Sequence, residues 1–119
     1  MKLFVDDTRH APKGWELART ITEAIRILYS TQVDVISLDH DIAYAYTGDS
    51  EGYGTVPNED FSTVARFLVL LYPGDRPDTI YIHTANPDGA KKIQAILKEG
   101  GMNSAIIDVS QLYMEAYSK

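Results

Sequence analysis

The sequence predicts an α/β fold in which an open, parallel, five-stranded sheet has helices on both faces. Short apolar segments alternate along the chain with segments whose apolar residues recur at helical spacing, a pattern typical of parallel sheets. Residues 33–38 (VDVISL) are almost continuously apolar, as expected for a strand that is covered on both faces. The 119 residues match the size of one domain, and we expect residues 1–119 to form a single one.

The first part of the chain contains predicted strands at residues 2–5 and 15–19 and a helix that begins at Thr20. The loop between these two strands is polar and too short to contain a long helix. Thr20 and Glu23 have the spacing of a capping box. An apolar stripe with helical spacing follows the cap: Ile21, Ala24, Ile25 and Leu28. This helix leads into the strand at 33–38.

The second part of the chain continues the alternation of helices and strands. Asn86 is a typical N-cap residue, and Pro87 suits the first position of the helix that follows. The remaining elements are predicted as a helix from about 58 to 72, strands at 79–82 and 105–109, an end of the third helix at Gly100 and Gly101, and a short terminal helix at 111–117.

Residues 41–57 form a long segment that is rich in glycine and tyrosine and has weak periodicity. A segment of this length without regular structure is uncommon in a compact domain and is often functional. The other interpretation is a surface insertion without a specific role. The sequence alone favours neither interpretation.

The composition excludes several classes of protein. Without cysteine the chain forms neither disulfides nor thiolate metal sites, which fits a cytoplasmic protein. No apolar segment approaches the ~20 residues that a membrane helix needs, and the N-terminus lacks the apolar core of a signal peptide. The formal net charge of −6 argues against an extended nucleic-acid surface, which requires many phosphate contacts. A small phosphorylated ligand or a single RNA end remains compatible, since a metal ion can invert the local field.

Polar residues follow three of the predicted strands at the point where each strand ends. They are Asp6 and Asp7; Asp39, His40 and Asp41; and His83, Thr84 and Asn86. The carboxyl ends of parallel strands meet at one edge of the sheet, where α/β proteins bind their ligands. We therefore expect these side chains to converge on one site.

Asp6, Asp7 and Asp39 have the chemistry of a divalent-metal site, with Mg²⁺ or Mn²⁺ as the expected ion. Mg²⁺ prefers oxygen ligands and often meets its substrate through phosphate oxygens. Carboxylates brought this close repel one another unless a cation or a shared proton relieves them. The alternative is that Asp6 and Asp7 only cap backbone amides in the turn that follows them.

His40 and His83 are candidates for acid–base catalysis, because imidazole titrates near neutrality. Both are expected beside the carboxylates, although a histidine is more often a packing residue. Arg9 could neutralise either a phosphate or a neighbouring aspartate, and the sequence does not separate these roles. Thr84 and Asn86 lie where a strand leads into a helix N-terminus, whose N–H groups favour anions. Asn86 would equally serve as an N-cap with no ligand bound.

The segment ITEAIRILYSTQVDVISLDHDI resembles the receiver domain of two-component response regulators, which has a flavodoxin-like fold. In this resemblance Asp6 and Asp7 correspond to the acidic pair, and Asp39 corresponds to the phosphoacceptor. Thr84 corresponds to the Thr or Ser that follows the fourth strand. The chain departs from receivers because Asp108 and its neighbours replace the lysine after the last strand. It also departs because the first helix is reduced or missing.

The motifs VDDTR, SLDHDI and IHTANP resemble more closely a receiver-derived family, the cyclic-phosphate-processing receiver domains. This resemblance implies action on cyclic phosphates, either in cyclic nucleotides or at RNA ends, in bacterial or phage conflict or in RNA repair. It suggests Asp6, Asp7, Asp39 and Asp41 as metal ligands, Asp39, His40 and His83 as catalytic groups, and Arg9, Thr84 and Asn86 as phosphate ligands.

The function expected from the sequence is that of a metal-dependent phosphoesterase acting on a cyclic phosphate. One histidine would act as base towards water and the other as acid towards the leaving oxygen. The alternative is a non-catalytic receiver-like signalling module or a protein that sequesters a nucleotide. The missing lysine argues against phosphorylation at Asp39, whereas nothing in the sequence argues against sequestration.

Overall fold

The computed structural model describes residues 1–41 and 60–117. These residues form strands β1 (Lys2–Val5), β2 (Glu16–Ala18), β3 (Val35–Leu38), β4 (Thr79–Ile82) and β5 (Ala105–Ile106), helices α1 (Ile21–Ser30), α2 (Ser62–Leu70), α3 (Pro87–Glu99) and α4 (Val109–Tyr117), and a 3₁₀ turn at Pro73–Asp75. The strands are all parallel, in the order β2-β1-β3-β4-β5. The predicted five-stranded parallel α/β fold is therefore confirmed. No helix in these two ranges is long and apolar enough to cross a membrane.

Local sequence signals determine where α1 and α3 begin. Thr20 caps α1, and its side-chain oxygen accepts a hydrogen bond from the Glu23 N–H at 3.0 Å. The Glu23 carboxylate accepts from the Arg19 N–H at 2.7 Å, one residue before the donor that a capping box uses. Asn86 caps α3 as predicted, because its side chain accepts from the Gly89 N–H at 3.0 Å.

The last strand is shorter than the sequence predicts. The apolar pattern predicts a strand over 105–109, whereas β5 comprises only Ala105–Ile106. The reason is that Asp108 caps the next helix: its carboxylate accepts a hydrogen bond from the Ser110 N–H at 2.9 Å. Helix α4 therefore starts directly after Asp108, earlier than the predicted start at 111.

Part of the predicted pattern falls outside the described residues. Only Asp41 of the segment 41–57 is described, so both interpretations of that segment stay predictions. The predicted start of the second helix at about 58 falls in the same part of the chain. Within the described residues this helix is Ser62–Leu70, and the backbone is already extended at Leu71.

The two faces of the sheet are covered differently. Alternate residues of the three central strands pack against α1, α2 and α3 and form the main core: Leu3, Val5, Ile36, Leu38, Ile80 and Ile82. The opposite face carries Phe4, Ser37 and Tyr81 side by side in register. Trp15 and Tyr113 cover Phe4 there, with ring centroids 6.2 and 6.3 Å from its own. Helices thus lie on both faces, as predicted.

The loop at residues 6–15 joins β1 to β2 without a helix, in agreement with the sequence. Two contacts hold this loop in place. The Tyr113 hydroxyl donates to the His10 carbonyl at 2.7 Å, and the Arg19 guanidinium donates to the Arg9 carbonyl at 2.8 Å. The strand order reverses at β1, which lies between β2 and β3. Since open α/β sheets bind ligands at such a reversal, the loop borders the expected site.

Candidate functional site

The strand ends bring the predicted aspartates together. Asp6 and Asp7 follow β1, and Asp39 follows the neighbouring strand β3. One carboxylate oxygen of each lies within 4.8 Å of the other two. Asp6 and Asp39 are buried, whereas Asp7 is partly exposed. These residues form the carboxylate cluster (Asp6, Asp7 and Asp39), at the edge of the sheet that the strand order predicts.

Asp6 is held by hydrogen bonds on both carboxylate oxygens. Oδ1 accepts from the N–H groups of Thr8 and Arg9, each at 2.9 Å. Oδ2 accepts from Arg9 Nη1 at 2.8 Å and lies 2.9 Å from Nε2 of His83. Burial alone would raise the pKa of Asp6, but the hydrogen bonds from His83, Arg9 and Thr8 outweigh it and hold the pKa well below its usual range. Asp6 is therefore ionised at neutral pH.

The pKa of Asp39 shifts in the opposite direction from that of Asp6. Burial raises its pKa, the Thr84 hydroxyl lowers it through a hydrogen bond, and the neighbouring charge of Asp6 raises it further, with a net upward shift. Its Oδ1 also accepts from the His40 N–H at 2.7 Å. Adjacent carboxylates whose pKa values shift in opposite directions are typical of reactive sites. Of these two aspartates, Asp39 gains more from an added cation.

Arg9 bridges the two buried aspartates. Its Nη1 lies 2.8 Å from Asp6 Oδ2 and 3.4 Å from Asp39 Oδ2. No other lysine or arginine of the described residues forms an ion pair with either carboxylate. Of the two roles that the sequence leaves open for Arg9, the structure contains the pairing with aspartate. Arg9 thus offsets part of the negative charge of the cluster from the β1–β2 loop, whereas receivers place a lysine after the last strand.

His83 is enclosed beneath the cluster. Its side chain is 0% exposed and stacks on Phe4, with the ring centroids 4.4 Å apart. Nε2 faces Asp6, and Nδ1 lies 2.6 Å from Ser37 Oγ. Because an ionised carboxylate only accepts hydrogen bonds, Nε2 carries a proton. Ser37, His83 and Asp6 form a continuous buried chain, which suits holding Asp6 in place better than exchanging protons with a substrate.

His40 has different neighbours from His83 and lies against the start of α3. Its Nδ1 is 2.8 Å from Asp41 Oδ1, and its Nε2 is 3.2 Å from Asp60 Oδ2. The second contact lacks hydrogen-bond alignment, since Nε2 makes no hydrogen bond with the described residues. A Cβ on Gly89 would collide with the imidazole ring, so glycine permits this close packing. The ring is 12% exposed and lies between two carboxylates.

Thr84 and Asn86 connect the carboxylate cluster to His40. The Thr84 hydroxyl accepts from the Asn86 N–H at 3.2 Å, and it lowers the pKa of Asp39. Asn86 Nδ2 donates to Asp41 Oδ1 at 3.2 Å, the same oxygen that contacts His40. Asn86 therefore links Thr84 to Asp41, which in turn contacts His40. Asn86 uses its oxygen as an N-cap and its nitrogen to bind Asp41, so its side chain is engaged within the protein.

The carboxylate cluster fits a hard divalent cation such as Mg²⁺ or Mn²⁺. Three carboxylates offer oxygens within 4.8 Å of one another, and these ions prefer such donors. Asp6 accepts hydrogen bonds of 2.8–2.9 Å on both oxygens, whereas Arg9 Nη1 lies 3.4 Å from Asp39 Oδ2. Asp39, together with the partly exposed Asp7, is therefore better suited to contact an ion. Asp41, the fourth predicted ligand, lies outside this cluster, and its Oδ1 contacts His40 and Asn86.

Comparison with known families supports the resemblance drawn from the motifs. A family model described as "Cyclic-phosphate processing Receiver domain" matches residues 1–99. The chain belongs to this family. The match includes all candidate site residues of this receiver domain and ends before β5 and α4. No curated protein matches the chain. Membership establishes a receiver domain that its family ties to cyclic phosphates, without specifying a reaction.

Sequence reasoning missed Ser37 and Asp60. Ser37 lies within the apolar strand β3, two residues before Asp39, and the alternation of side chains along a strand is the signal that places both on one face. Asp60 lies 3.2 Å from His40 Nε2 and 3.4 Å from Lys92 Nζ. Asp60 belongs to no motif, and only the tertiary structure brings it next to His40.

Proposed function

We propose that this receiver domain is a metal-dependent phosphoesterase that opens a cyclic phosphate, in a cyclic nucleotide or at a 2′,3′-cyclic RNA end. The observation that carries the proposal is the carboxylate cluster bridged by Arg9 at the strand ends. The family's link to cyclic phosphates supports the choice of substrate class. The proposed reaction is hydrolysis: a water oxygen bonds to phosphorus, one ring P–O bond breaks, and the leaving sugar oxygen takes a proton. The product is a phosphomonoester.

The carboxylate cluster and Arg9 bind the reacting group in this proposal. A divalent ion held by Asp7 and Asp39 would supply Lewis acidity towards the phosphoryl oxygens. Arg9 suits phosphate because its planar guanidinium presents several N–H donors to oxygen pairs. The buried chain through His83 keeps Asp6 ionised and oriented, so we assign His83 a positioning role.

His40 and Asp41 are the groups to which we assign proton transfer. His40 Nδ1 lies 2.8 Å from Asp41 Oδ1, and the Asp41 side chain is 56% exposed. The Asp41 carboxylate is therefore open to a ligand, whereas the proton on His83 Nε2 is enclosed. General acid–base catalysis of this kind contributes about 10²–10⁴-fold in rate.

The test is incubation of the purified protein with 2′,3′-cyclic and 3′,5′-cyclic nucleotides in Mg²⁺, Mn²⁺ or EDTA, with chromatography of the products. We expect a phosphomonoester that forms only with the metal ion, and a loss of about 10²–10⁴-fold in His40→Ala. His10→Ala is the matched control, because His10 is exposed and its ring packs on Tyr113. The absence of turnover with every substrate and ion would overturn the proposal.

A nucleotide-binding protein without catalytic activity is the second candidate. The enclosure of His83 favours it, because one of the two predicted acid–base groups is out of reach of a substrate. In that case calorimetry would detect binding of a cyclic nucleotide, and the nucleotide would be recovered unchanged after long incubation. A signalling receiver would instead be labelled by acetyl phosphate, and the label would disappear in Asp39→Asn.

A further inference from the structure

Arg9 combines a fixed backbone with a side chain that reaches solvent. Its N–H donates to Asp6 Oδ1 at 2.9 Å, and its carbonyl accepts from Arg19 Nη1 at 2.8 Å. The side chain is 31% exposed and contacts the buried aspartates through Nη1. It belongs to a loop and fills no position in the hydrophobic core. The guanidinium can therefore leave the carboxylates without unfolding the loop.

The guanidinium and a divalent ion would use the same negative charge. Nη1 is 3.4 Å from Asp39 Oδ2, and Asp39 is one of the two residues best suited to contact an ion. Two cations that share one carboxylate repel each other, most strongly where burial lowers the dielectric response. Asp39 is buried, so each cation weakens the binding of the other. Thermodynamic linkage requires that the ion weakens the Arg9–Asp39 contact by the same factor as Arg9 weakens binding of the ion.

We propose that Arg9 is an exchangeable internal cation, which neutralises Asp6 and Asp39 in the metal-free protein and moves to the phosphoryl group when a divalent ion binds. The exchange rests on the metal and phosphate binding of the proposed function. Arg9 therefore has two partners in succession: the aspartates first, and phosphate oxygens afterwards. The divalent ion replaces the positive charge that the aspartates lose when Arg9 moves away.

A substitution of Arg9 distinguishes this exchange from a structural role, because the exchange predicts opposite changes in the affinities for Mn²⁺ and for inorganic phosphate. In Arg9→Gln, Mn²⁺ should bind more tightly than in the parent protein, by about 5- to 100-fold, the usual range of coupling between two sites. The Mn²⁺-loaded variant should bind inorganic phosphate more weakly by a similar factor. A residue that only supports the fold would change both affinities in the same direction or neither.

The experiment uses calorimetric titration of the full chain with Mn²⁺, followed by titration of the Mn²⁺-loaded protein with inorganic phosphate. Arg26→Gln is the matched control, because Arg26 is exposed on α1 and its substitution removes the same charge away from the carboxylate cluster. Arg9→Lys is the second variant: it keeps the charge without the planar fork, so its Mn²⁺ affinity should fall between those of the parent and Arg9→Gln. Thermal melting without metal verifies that each variant folds.

Three outcomes separate this inference from the proposed function. Tighter Mn²⁺ and weaker phosphate binding in Arg9→Gln support the exchange, whether or not turnover is found. If the parent protein binds Mn²⁺ and hydrolyses a cyclic nucleotide, but Arg9→Gln binds Mn²⁺ equally tightly or more weakly, the exchange is overturned and the proposed function stands. No Mn²⁺ binding by the parent, Arg9→Gln and Arg9→Lys overturns both.

Discussion

His83 Nε2 lies 2.9 Å from Asp6 Oδ2, and both side chains are 0% exposed. A buried carboxylate and its hydrogen-bond partner are stable only when the other polar atoms of both side chains also form hydrogen bonds. Here Ser37 Oγ meets the other ring nitrogen at 2.6 Å, and Arg9 Nη1 shares the Asp6 oxygen at 2.8 Å. Through His83, Ser37 within β3 is therefore linked to the Asp6 carboxylate at the end of β1.

Ser37→Ala should destabilise the protein by about 1–3 kcal/mol, because it leaves Nδ1 of the buried His83 without a partner. Urea unfolding followed by circular dichroism measures the change. Ser30→Ala is the matched control, since Ser30 is exposed and its hydroxyl donates to the Arg26 carbonyl at 2.8 Å; its effect should stay within about 0.5 kcal/mol. Equal losses in the two variants would contradict the role assigned to the buried chain.

Asp6→Asn and Asp39→Asn should change stability in opposite directions at neutral pH. Asp6→Asn removes the charge that pairs with Arg9 and turns one acceptor oxygen into an amide donor that faces other donors, and it should cost about 3–5 kcal/mol. Asp39 carries a charge that burial disfavours, so Asp39→Asn should raise the free energy of unfolding by about 0.5–2 kcal/mol. Urea unfolding at pH 7 measures the free energy of unfolding of both variants. A change of the same sign in both would show that the environments of the Asp6 and Asp39 carboxylates are wrongly assigned.

The stabilising effect of Asp6 should persist until strongly acidic pH. The pKa of Asp6 is lowered in the folded state, so the unfolded state binds more protons between the folded pKa and the unfolded value of about 4. Stability then rises with pH in that window. The difference between the parent and Asp6→Asn should be constant from pH 7 to about 4 and shrink only below it. Unfolding curves across this range provide the measurement.

Asp39 should have the reverse pH dependence. Its pKa is raised in the folded state, so the folded protein binds the proton first as the pH falls. The parent should therefore gain stability relative to Asp39→Asn when the pH drops through the folded pKa towards about 4. The same unfolding curves measure this, and a gap between the two proteins that widens on acidification would contradict it.

Gly89→Ala should displace the His40 ring. A Cβ at this position meets the imidazole, and overpacking of this kind costs about 1–3 kcal/mol. That cost opposes the gain in helix propensity that alanine brings. NMR shifts of the His40 ring protons and urea unfolding measure the effect. Gly74→Ala is the control because no heavy atom lies within 4 Å of its added Cβ, and unchanged His40 shifts in Gly89→Ala would refute the close packing.

Local signals are sufficient to predict most of the elements and the convergence of the aspartates. Thr20 and Asn86 cap their helices as expected, because caps depend on residues three positions away. The apolar pattern is less reliable where a cap interrupts it. Asp108 ends β5 early, since its carboxylate bonds the Ser110 N–H, and an apolar run by itself does not reveal where a strand stops.

The sequence by itself determined that strand ends carrying Asp6, Asp7 and Asp39 would meet at one edge of a parallel sheet. Only the tertiary structure decided which atoms face one another. Ser37 and His83 are 46 residues apart, and their contact depends on the register of β3 against β4 and on the face to which each side chain points. Such contacts depend on the packing of the whole sheet, because neither residue carries a local signal for a distant partner. That packing enclosed His83 and placed Arg9 across the cluster.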